Sequence, residues 1–210
     1  MATQTVSAHQ AGTVTLGGEL TVNRLGYGAM RITGEGVWGP PRDRAAALAV
    51  LRRAVELGVN FIDTADSYGP GVSEELIAEA LAPYPAGLVI ATKGGWNRPG
   101  PGQWTHDASP AHLRKAVEGS LKRLRVERID VYQLHTPDPA TSFDRSIETL
   151  AEGIEHSTDL SVLRDERCGA GQGFLFARPL DSEACERFLR DSAAEQLAEE
   201  AADADPISPR

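Results

Sequence analysis

Residues 58–81 read GVNFIDTADSYGPGVSEELIAEAL, and this stretch decides the fold. The short apolar run Asn60–Asp63 ends in an acidic residue before a glycine-containing turn, which is typical of a strand. We predict that Ser73 then caps a helix, because two glutamates follow it in the first turn, where carboxylates suit the helix dipole. The helix should run to about Leu81 and end at Pro83. A strand followed by a helix is the repeating unit of a parallel sheet.

The same unit recurs on both sides of this stretch. The other predicted elements are a hairpin at 13–25 around Gly17-Gly18, strands at 25–28, 88–92 and 129–134, and helices from Asp43 to Gly58, from Ser109 to about Leu124 and from Phe143 onward. Gly/Pro-rich loops separate the units. Four strands that alternate with helices predict an α/β fold with a parallel sheet.

Four polar residues stand at one edge of this predicted sheet. Asp63, Lys93 and His135 end successive apolar runs, and Tyr68 lies in the loop after the first of these. A tyrosine alone is a weak acid, with a reference pKa of about 10, and a nearby ammonium should lower that value. A carboxylate would keep the lysine charged, and a histidine can orient a carbonyl oxygen or relay a proton. The four residues are therefore the parts of a proton-donating site.

At these residues the chain resembles the aldo/keto reductase superfamily. The matching stretches, in family order, are RLGYGAMR (24–31), residues 58–81, VIATKGG (89–95) and DVYQLHTPDP (130–139). The resemblance covers residues 12–150. It implies an NADPH-dependent carbonyl reductase on a (β/α)8 barrel, with the amino-terminal hairpin at the bottom of the barrel.

The resemblance also assigns catalytic roles. It makes Tyr68 the general acid, Lys93 and Asp63 the pair that adjusts the pKa of Tyr68, and His135 the group that orients the substrate. Each residue has a plainer interpretation as well: a turn aspartate, a rim tyrosine, a solvated lysine and a histidine satisfied in the core.

The resemblance implies contacts for the cofactor and the substrate too. Gly28, Ala29, Met30 and Asp63 correspond to the nicotinamide end of the NADPH site. Trp96 is the candidate for the wall of a substrate pocket. The loop residues Trp38 and Trp104 fit a pocket wall or a loop anchor equally well.

After residue 150 the strand–helix pattern breaks. The pieces AEGIE (151–155), CGAGQG (168–173) and FLFARPL (174–180) resemble the carboxyl end of EAL-type cyclic-di-GMP phosphodiesterases. Glu152 and Gln172 match positions near the metal and phosphate site of that family. The signature EAL triplet and the aspartate pair have no counterpart in the sequence, so we predict neither a metal site nor phosphodiesterase activity.

The predicted organisation has four parts. Residues 1–11 form a loose N-terminus, 12–150 a reductase-like half barrel, 151–195 an EAL-like fragment and 196–210 an acidic disordered tail. The fold class is thus α/β, a partial (β/α)8 TIM-type barrel with one or two further units from an unrelated barrel family. We place the junction near Glu148–Gly153.

Composition limits the partners and the compartment. The 210 residues carry 30 acidic and 21 basic side chains, a net charge of −9, which does not attract nucleic acid or an anionic membrane. Two cysteines make no disulfide framework, and the sequence has neither an 18-residue apolar run nor a secretory signal. We expect a cytoplasmic protein whose partner is a small carbonyl substrate.

The absence of reductase-like sequence after residue 150 leaves alternatives open. In the resembled family the last strands hold the adenosine and 2′-phosphate of the cofactor, so we expect NADPH binding to be weak or lost. An open sheet edge would favour self-association, unless the foreign strands close it. The main interpretation is an NADPH-dependent oxidoreductase; the alternative is an inactive fused remnant that acts, if at all, as a binding or interaction module.

Overall fold

A computed structural model describes residues 6–151 of the chain. In chain order its elements are β1 (Thr13–Leu16), β2 (Leu20–Asn23), β3 (Tyr27–Gly28), α1 (Arg44–Glu56), β4 (Phe61–Asp63), α2 (Val72–Leu81), β5 (Val89–Gly94), β6 (Trp96–Asn97), β7 (Thr105–His106), α3 (Pro110–Leu124), β8 (Val131–Leu134) and α4 (Phe143–Ala151). Strands β3, β4, β5 and β8 form one parallel sheet in that order. A helix follows each of the four strands, which confirms the predicted repeat. The β6–β7 hairpin in the loop after β5 was not predicted.

Three of the four helices, α1, α3 and α4, begin where the sequence predicts, and α1 and α3 have the predicted capping residues. The Asp43 carboxylate accepts a hydrogen bond of 2.9 Å from the amide of Ala46 at the start of α1. The Ser109 hydroxyl accepts one of 3.3 Å from the amide of His112 at the start of α3, where Pro110 occupies the first position. Both caps are local, because donor and acceptor lie three residues apart.

The start of α2 corrects the prediction that Ser73 is its cap. Gly71 is the residue before the helix, in the left-handed region at φ 80°, and no side chain caps this end. Ser73 lies inside the first turn, fully buried. Its hydroxyl donates to the carbonyl of Ala29 at 3.0 Å and accepts from Thr64 at 2.8 Å. The serine is therefore used for tertiary contacts that join α2 to the residues directly after β3 and β4.

The apolar core lies between the sheet and the helices. Its fully buried members are Ala29, Leu51, Ile62, Leu76, Ile77 and Leu124. They come from the end of β3, from β4 and from α1, α2 and α3. Burial of such side chains is the main favourable term in folding, at about 1.5–3 kcal/mol for each large one.

A buried polar network joins the sheet to two helices beside this core. The Glu74 side chain of α2 is 0% exposed, and its carboxylate accepts hydrogen bonds of 2.6 Å from the Thr92 hydroxyl and 2.6 Å from Arg123 Nε. Thr92 belongs to β5 and Arg123 to α3. A carboxylate so far from water is tolerated only because both of its oxygens have partners.

The amino-terminal hairpin is fixed to the end of the sheet opposite Asp63. The amide of Asn23 donates to Asn60 Oδ1 at 2.7 Å, and its side chain donates to the carbonyl of Gly58 at 2.7 Å. Both acceptors precede β4, so the hairpin lies at the amino-terminal ends of the strands. The sequence resemblance implied this placement.

The expectation of a loose N-terminus is wrong for residues 7–11. The chain forms a short 3₁₀ helix at Ala8–Ala11, and the side chains of Ser7 and Gln10 form a reciprocal capping box at its start. Ala8 is 2% exposed, and its amide donates to the carbonyl of Leu57 at 2.8 Å. The small side chain and the cap together fix this segment against the end of α1.

In the described residues, no helix is long and apolar enough to cross a membrane. The predicted EAL-like fragment with Glu152 and Gln172, the acidic tail and most of the predicted junction lie outside the described residues.

We expect Glu74→Gln to lower the free energy of unfolding by about 2–4 kcal/mol, because it removes the charge that Arg123 pairs with in a buried position. Urea unfolding followed by far-UV circular dichroism measures this. Glu75→Gln is the matched control, since Glu75 is exposed on the same helix turn and should change stability by less than about 0.5 kcal/mol. Equal effects of the two substitutions would contradict the importance of the network.

Candidate active site

The sheet register brings the predicted site residues to one edge. Asp63 is the last residue of β4 and lies level with Gly28 on one side and Ala91 on the other. Lys93 is two residues further along β5. His135 directly follows β8, and its amide donates to the carbonyl of Gly94 at 2.8 Å. Because the strands are parallel, their carboxyl ends meet here.

Lys93 and Asp63 form a close ion pair. Lys93 Nζ lies 2.7 Å from Asp63 Oδ2 and also donates to the carbonyl of Thr64 at 2.8 Å. The two side chains are 12% and 15% exposed. Limited contact with water strengthens the attraction between them, so the ammonium is held in one position.

Tyr68 and His135 complete the cluster. The Tyr68 ring centroid lies 5.4 Å from Lys93 Nζ and 5.6 Å from the His135 ring, which it meets edge-on at 83°. Tyr68 is 7% exposed. The structure therefore brings all four sequence-predicted residues together at the carboxyl edge of the sheet.

The pKa of Tyr68 departs from the sequence-based expectation. Burial and, to a smaller extent, the negative charge of Asp63 raise the pKa of Tyr68 to about 12. The nearby ammonium was expected to lower it. Desolvation disfavours the charged phenolate, and the carboxylate of Asp63 offsets part of the effect of the ammonium. Tyr68 accordingly keeps its proton throughout the neutral range.

The pKa of His135 is lowered, which keeps its ring neutral. Burial, with a contribution from the Lys93 charge, lowers the pKa of His135 to about 4. Its Nδ1 lies 3.3 Å from the hydroxyl of Ser67. When Ser67 donates to Nδ1, the ring proton resides on Nε2, and that nitrogen is a donor for an oxygen in the cleft.

Trp96 lies beside one of the catalytic candidates. Its ring lies 6.3 Å from that of His135, at a right angle, and 4.5 Å from that of His106. Trp38 and Trp104 instead lie over the guanidinium of Arg98, at 5.5 and 3.6 Å. Trp96 thus fits a pocket wall, whereas the other two anchor loops.

The residues predicted for the cofactor lie at the end of β3 beside Asp63. Gly28 is exposed and level with Asp63. Met30 is 38% exposed, whereas Ala29 is fully buried, so Ala29 supports this surface from below. An open glycine next to an exposed apolar side chain suits the flat face of a nicotinamide ring. The chemistry of these residues therefore fits the nicotinamide end of the cofactor.

Sequence reasoning missed three residues of this region. Ser67 lies beside Tyr68 in TADSYG and could have been identified by that position. Arg98 lies between two tryptophans in the Gly/Pro-rich loop, where nothing in the sequence indicates its burial. Asp66 has one buried oxygen without a partner among the described residues, and burial together with Glu74 raises the pKa of Asp66 to about 7.

A parallel α/β sheet with polar residues at the carboxyl ends of its strands is the arrangement of (β/α)8 enzymes. A sequence model of the Aldo/keto reductase family matches residues 24–159. The match extends nine residues past the predicted end of the reductase-like part at residue 150 and includes AEGIE (151–155), so that end was predicted too early. The chain belongs to the aldo/keto reductase family. Solved structures of this family, whose fold is a TIM barrel, cover about two thirds of the chain. The family is one of oxidoreductases that generally use NAD(P)H.

Curated relatives and solved structures agree with this assignment. The chain is 55% identical over 138 residues to an uncharacterized oxidoreductase of Schizosaccharomyces pombe, covering 66% of this chain and 44% of the relative. It is 48% identical over 147 residues to pyridoxine 4-dehydrogenase of Escherichia coli, covering 67% and 51%. The chain thus spans about half the length of the curated relatives it matches.

The glycerol dehydrogenase of Gluconobacter oxydans has a similar structure, with a TM-score of 0.60 and 38% identity over 68% of this chain and 44% of that one. A holo aldo-keto reductase of Bacillus halodurans gives a TM-score of 0.58 at 34% identity, over 67% and 45%.

We expect acid to destabilise the protein partly through His135. Its folded pKa of about 4 lies below its unfolded value, so between about pH 6.5 and 4 the unfolded chain binds more protons and stability falls. His135→Gln should therefore lose less stability than the parent protein when urea unfolding is compared at pH 7 and pH 4.5.

Asp66 has the opposite effect throughout this interval: its folded pKa is raised to about 7, so the folded protein binds more protons there and stability rises as the pH falls. This contribution is common to both proteins. His106→Gln is the control, since His106 is exposed in the same region. The same pH dependence in His135→Gln and the parent protein would contradict the assignment of a buried, neutral His135.

Proposed function

We propose that this protein is an NADPH-linked oxidoreductase of the aldo/keto reductase type, acting on an aldehyde or ketone, with Tyr68 as the proton donor. The observation that carries the proposal is the Lys93–Asp63 ion pair beneath a buried tyrosine that faces His135. The pair holds a positive charge near the phenol without competing for its proton.

The pKa of Tyr68 suits a donor better than a base. A phenol with a pKa of about 12 is protonated at neutral pH and is available to a carbonyl oxygen that gains negative charge. Developing charge on that oxygen would be stabilised by the phenol O–H, by the Lys93 ammonium and by the Nε2 proton of neutral His135. These donors are already in place in a region with little water, which is where such stabilisation is strongest.

When bound, reduced nicotinamide supplies the hydride that the carbonyl carbon accepts. Gly28 and Met30 would lie against the ring, Asp63 next to it and Ala29 below, and Trp96 would limit the space for the substrate. The names of two relatives, pyridoxine 4-dehydrogenase and glycerol dehydrogenase, suggest small polar alcohols and their carbonyl products as the first compounds to test.

The alternative remains an inactive remnant or an interaction module. Its support is the predicted resemblance of residues 151–195 to EAL-type domains, of which the reductase family match also covers 151–159. We retain, as part of this alternative, a chain division that would follow this match rather than lie near residue 150, and self-association through an open sheet edge. The reductase assay below separates the two functions.

We expect Tyr68→Phe to lower kcat by about 10²–10⁴-fold with little change in stability, because only the proton donor is removed. Oxidation of NADPH, followed by absorbance with a panel of small aldehydes, measures this. Tyr84→Phe is the control: the Tyr84 hydroxyl donates to the carbonyl of Leu124, the last residue of α3, at 2.6 Å, so its removal should alter stability and leave kcat unchanged.

Retained turnover in Tyr68→Phe would assign the acid to another residue. A folded parent protein that turns over none of the panel would favour the remnant.

We expect NADPH to bind more weakly than to a reductase with a complete phosphate-binding site, by at least about 3 kcal/mol, or on the order of a hundredfold, because two charge-assisted contacts would be missing. Two cationic side chains near the cleft already have partners: Lys93 pairs with Asp63, and Arg98 donates hydrogen bonds to backbone carbonyls. Phosphate contacts would then depend on Arg164, Arg167 and Arg178, which lie outside the described residues. Titration calorimetry measures the affinity, and low-micromolar or tighter binding would contradict this prediction.

A further inference from the structure

The buried guanidinium of Arg98 lies where three loops meet above the sheet. Arg98 is 7% exposed and donates four hydrogen bonds, all to backbone carbonyls. The acceptors are Gly36 at 3.2 Å, Val37 at 3.0 Å, Ser67 at 2.8 Å and Gln103 at 2.9 Å. They belong to the loops after β3, β4 and β6. One side chain therefore joins three segments that are distant in sequence.

Aromatic rings hold the guanidinium in place. Its central carbon lies 3.6 Å from the centroid of Trp104 and 5.5 Å from that of Trp38. The short distance to Trp104 is a stacking contact, which a planar delocalised cation makes well and an ammonium does not. The guanidinium of Arg98 is thus fixed both by its hydrogen bonds and by the aromatic rings that contact it.

The strained backbone of Val37 is held at the same point. Val37 has φ of 57°, a left-handed conformation that is rare for a β-branched residue. Its carbonyl accepts from Arg98 and also from the amide of Gly69 at 3.2 Å. Such a conformation persists only where the surroundings fix it. Here the surroundings are the Arg98 guanidinium and the loop that carries Tyr68.

The acceptors of Arg98 are next to the catalytic candidates. Ser67, whose carbonyl Arg98 binds, precedes Tyr68, and its hydroxyl contacts His135 at 3.3 Å. Arg98 itself is two residues from Trp96, the candidate pocket wall. Movement of the guanidinium would consequently displace Tyr68, the partner of His135 and the wall together.

We propose that Arg98 is a positioning residue that locks the three loops into one rigid unit and so sets the placement of Tyr68 and Trp96 relative to His135. This rests on the proposed function for its catalytic consequence but not for the loop coupling, which is a property of the protein alone. Arg98 touches no reacting atom. It acts through the backbone of Ser67 and through the loop that bears Trp96.

Hydrogen exchange followed by mass spectrometry tests the coupling without any activity. In Arg98→Ala, peptides spanning 34–41, 66–72 and 99–105 should all lose protection, while the parallel sheet keeps its own. Arg128→Ala removes an arginine that is 84% exposed and should change none of the three peptides. Faster exchange confined to 99–105 would overturn the proposal.

A second measurement covers the case in which Arg98→Ala does not fold. In the unmodified protein at increasing sub-denaturing urea, the three peptides should lose protection at the same urea concentration, because they open as one unit. Loss of protection at three separate concentrations would overturn the proposal without any variant.

Kinetics test the consequence for catalysis. With an aldehyde that the parent protein reduces, Arg98→Ala and Arg98→Lys should both lower kcat by about 10- to 100-fold, since displacement by about 1 Å has an effect of this size. The lysine variant keeps the positive charge but loses the planar set of hydrogen-bond donors and the stacking on Trp104, so it should not rescue turnover. The alkaline limb of the pH profile should be unchanged, because Tyr68 is still the acid.

The two proposals fail in different ways. If the parent protein reduces no aldehyde, the proposed function is contradicted, and the hydrogen-exchange experiment still tests the role of Arg98. An active parent protein whose Arg98→Lys variant keeps full kcat defeats the positioning role alone.

Discussion

Neighbouring residues of β5 point to opposite sides of the sheet, and both the site and the outer helices depend on this alternation. Lys93 reaches Asp63 in the cleft, while Thr92 donates to Glu74, which Arg123 also binds. A shift of β5 by one residue would exchange the two side chains and leave charges buried without partners. The placement of the ammonium is therefore secured by the polar network on the far side of the strand.

The cluster combines one compensated ion pair with two groups that burial keeps neutral. Burial raises the pKa of Tyr68 to about 12 and lowers that of His135 to about 4, so neither titrates near neutral pH. Both are then hydrogen-bond donors beside a fixed positive charge. Such an arrangement is matched to an oxygen that becomes more negative, and it requires little rearrangement when that happens.

The sequence alone predicted the features that depend on residues close together along the chain. Asp43 and Ser109 were identified as caps because their acceptor and donor lie three residues apart, and the strand ends followed from apolar runs. Ser73 was misassigned because its hydroxyl bonds to Ala29 and Thr64, which follow β3 and β4 and are distant in sequence or outside its helix. Arg98 was not identified because three of its four acceptors lie 62, 61 and 31 residues away and are backbone atoms. The pKa of Tyr68 is raised rather than lowered because the side chain is buried, and a single sequence does not reveal burial.

The positions of the tryptophans determine what an optical experiment on this protein reports. The chain has three tryptophans, and all of them lie in the loops above the carboxyl ends of the strands, near Arg98 or His135. The apolar core described above contains none of them. Intrinsic fluorescence will hence follow detachment of the loops, whereas the ellipticity of the helices follows loss of the sheet and its helical layer. Two denaturation curves recorded on the same sample with these probes would separate local opening from global unfolding.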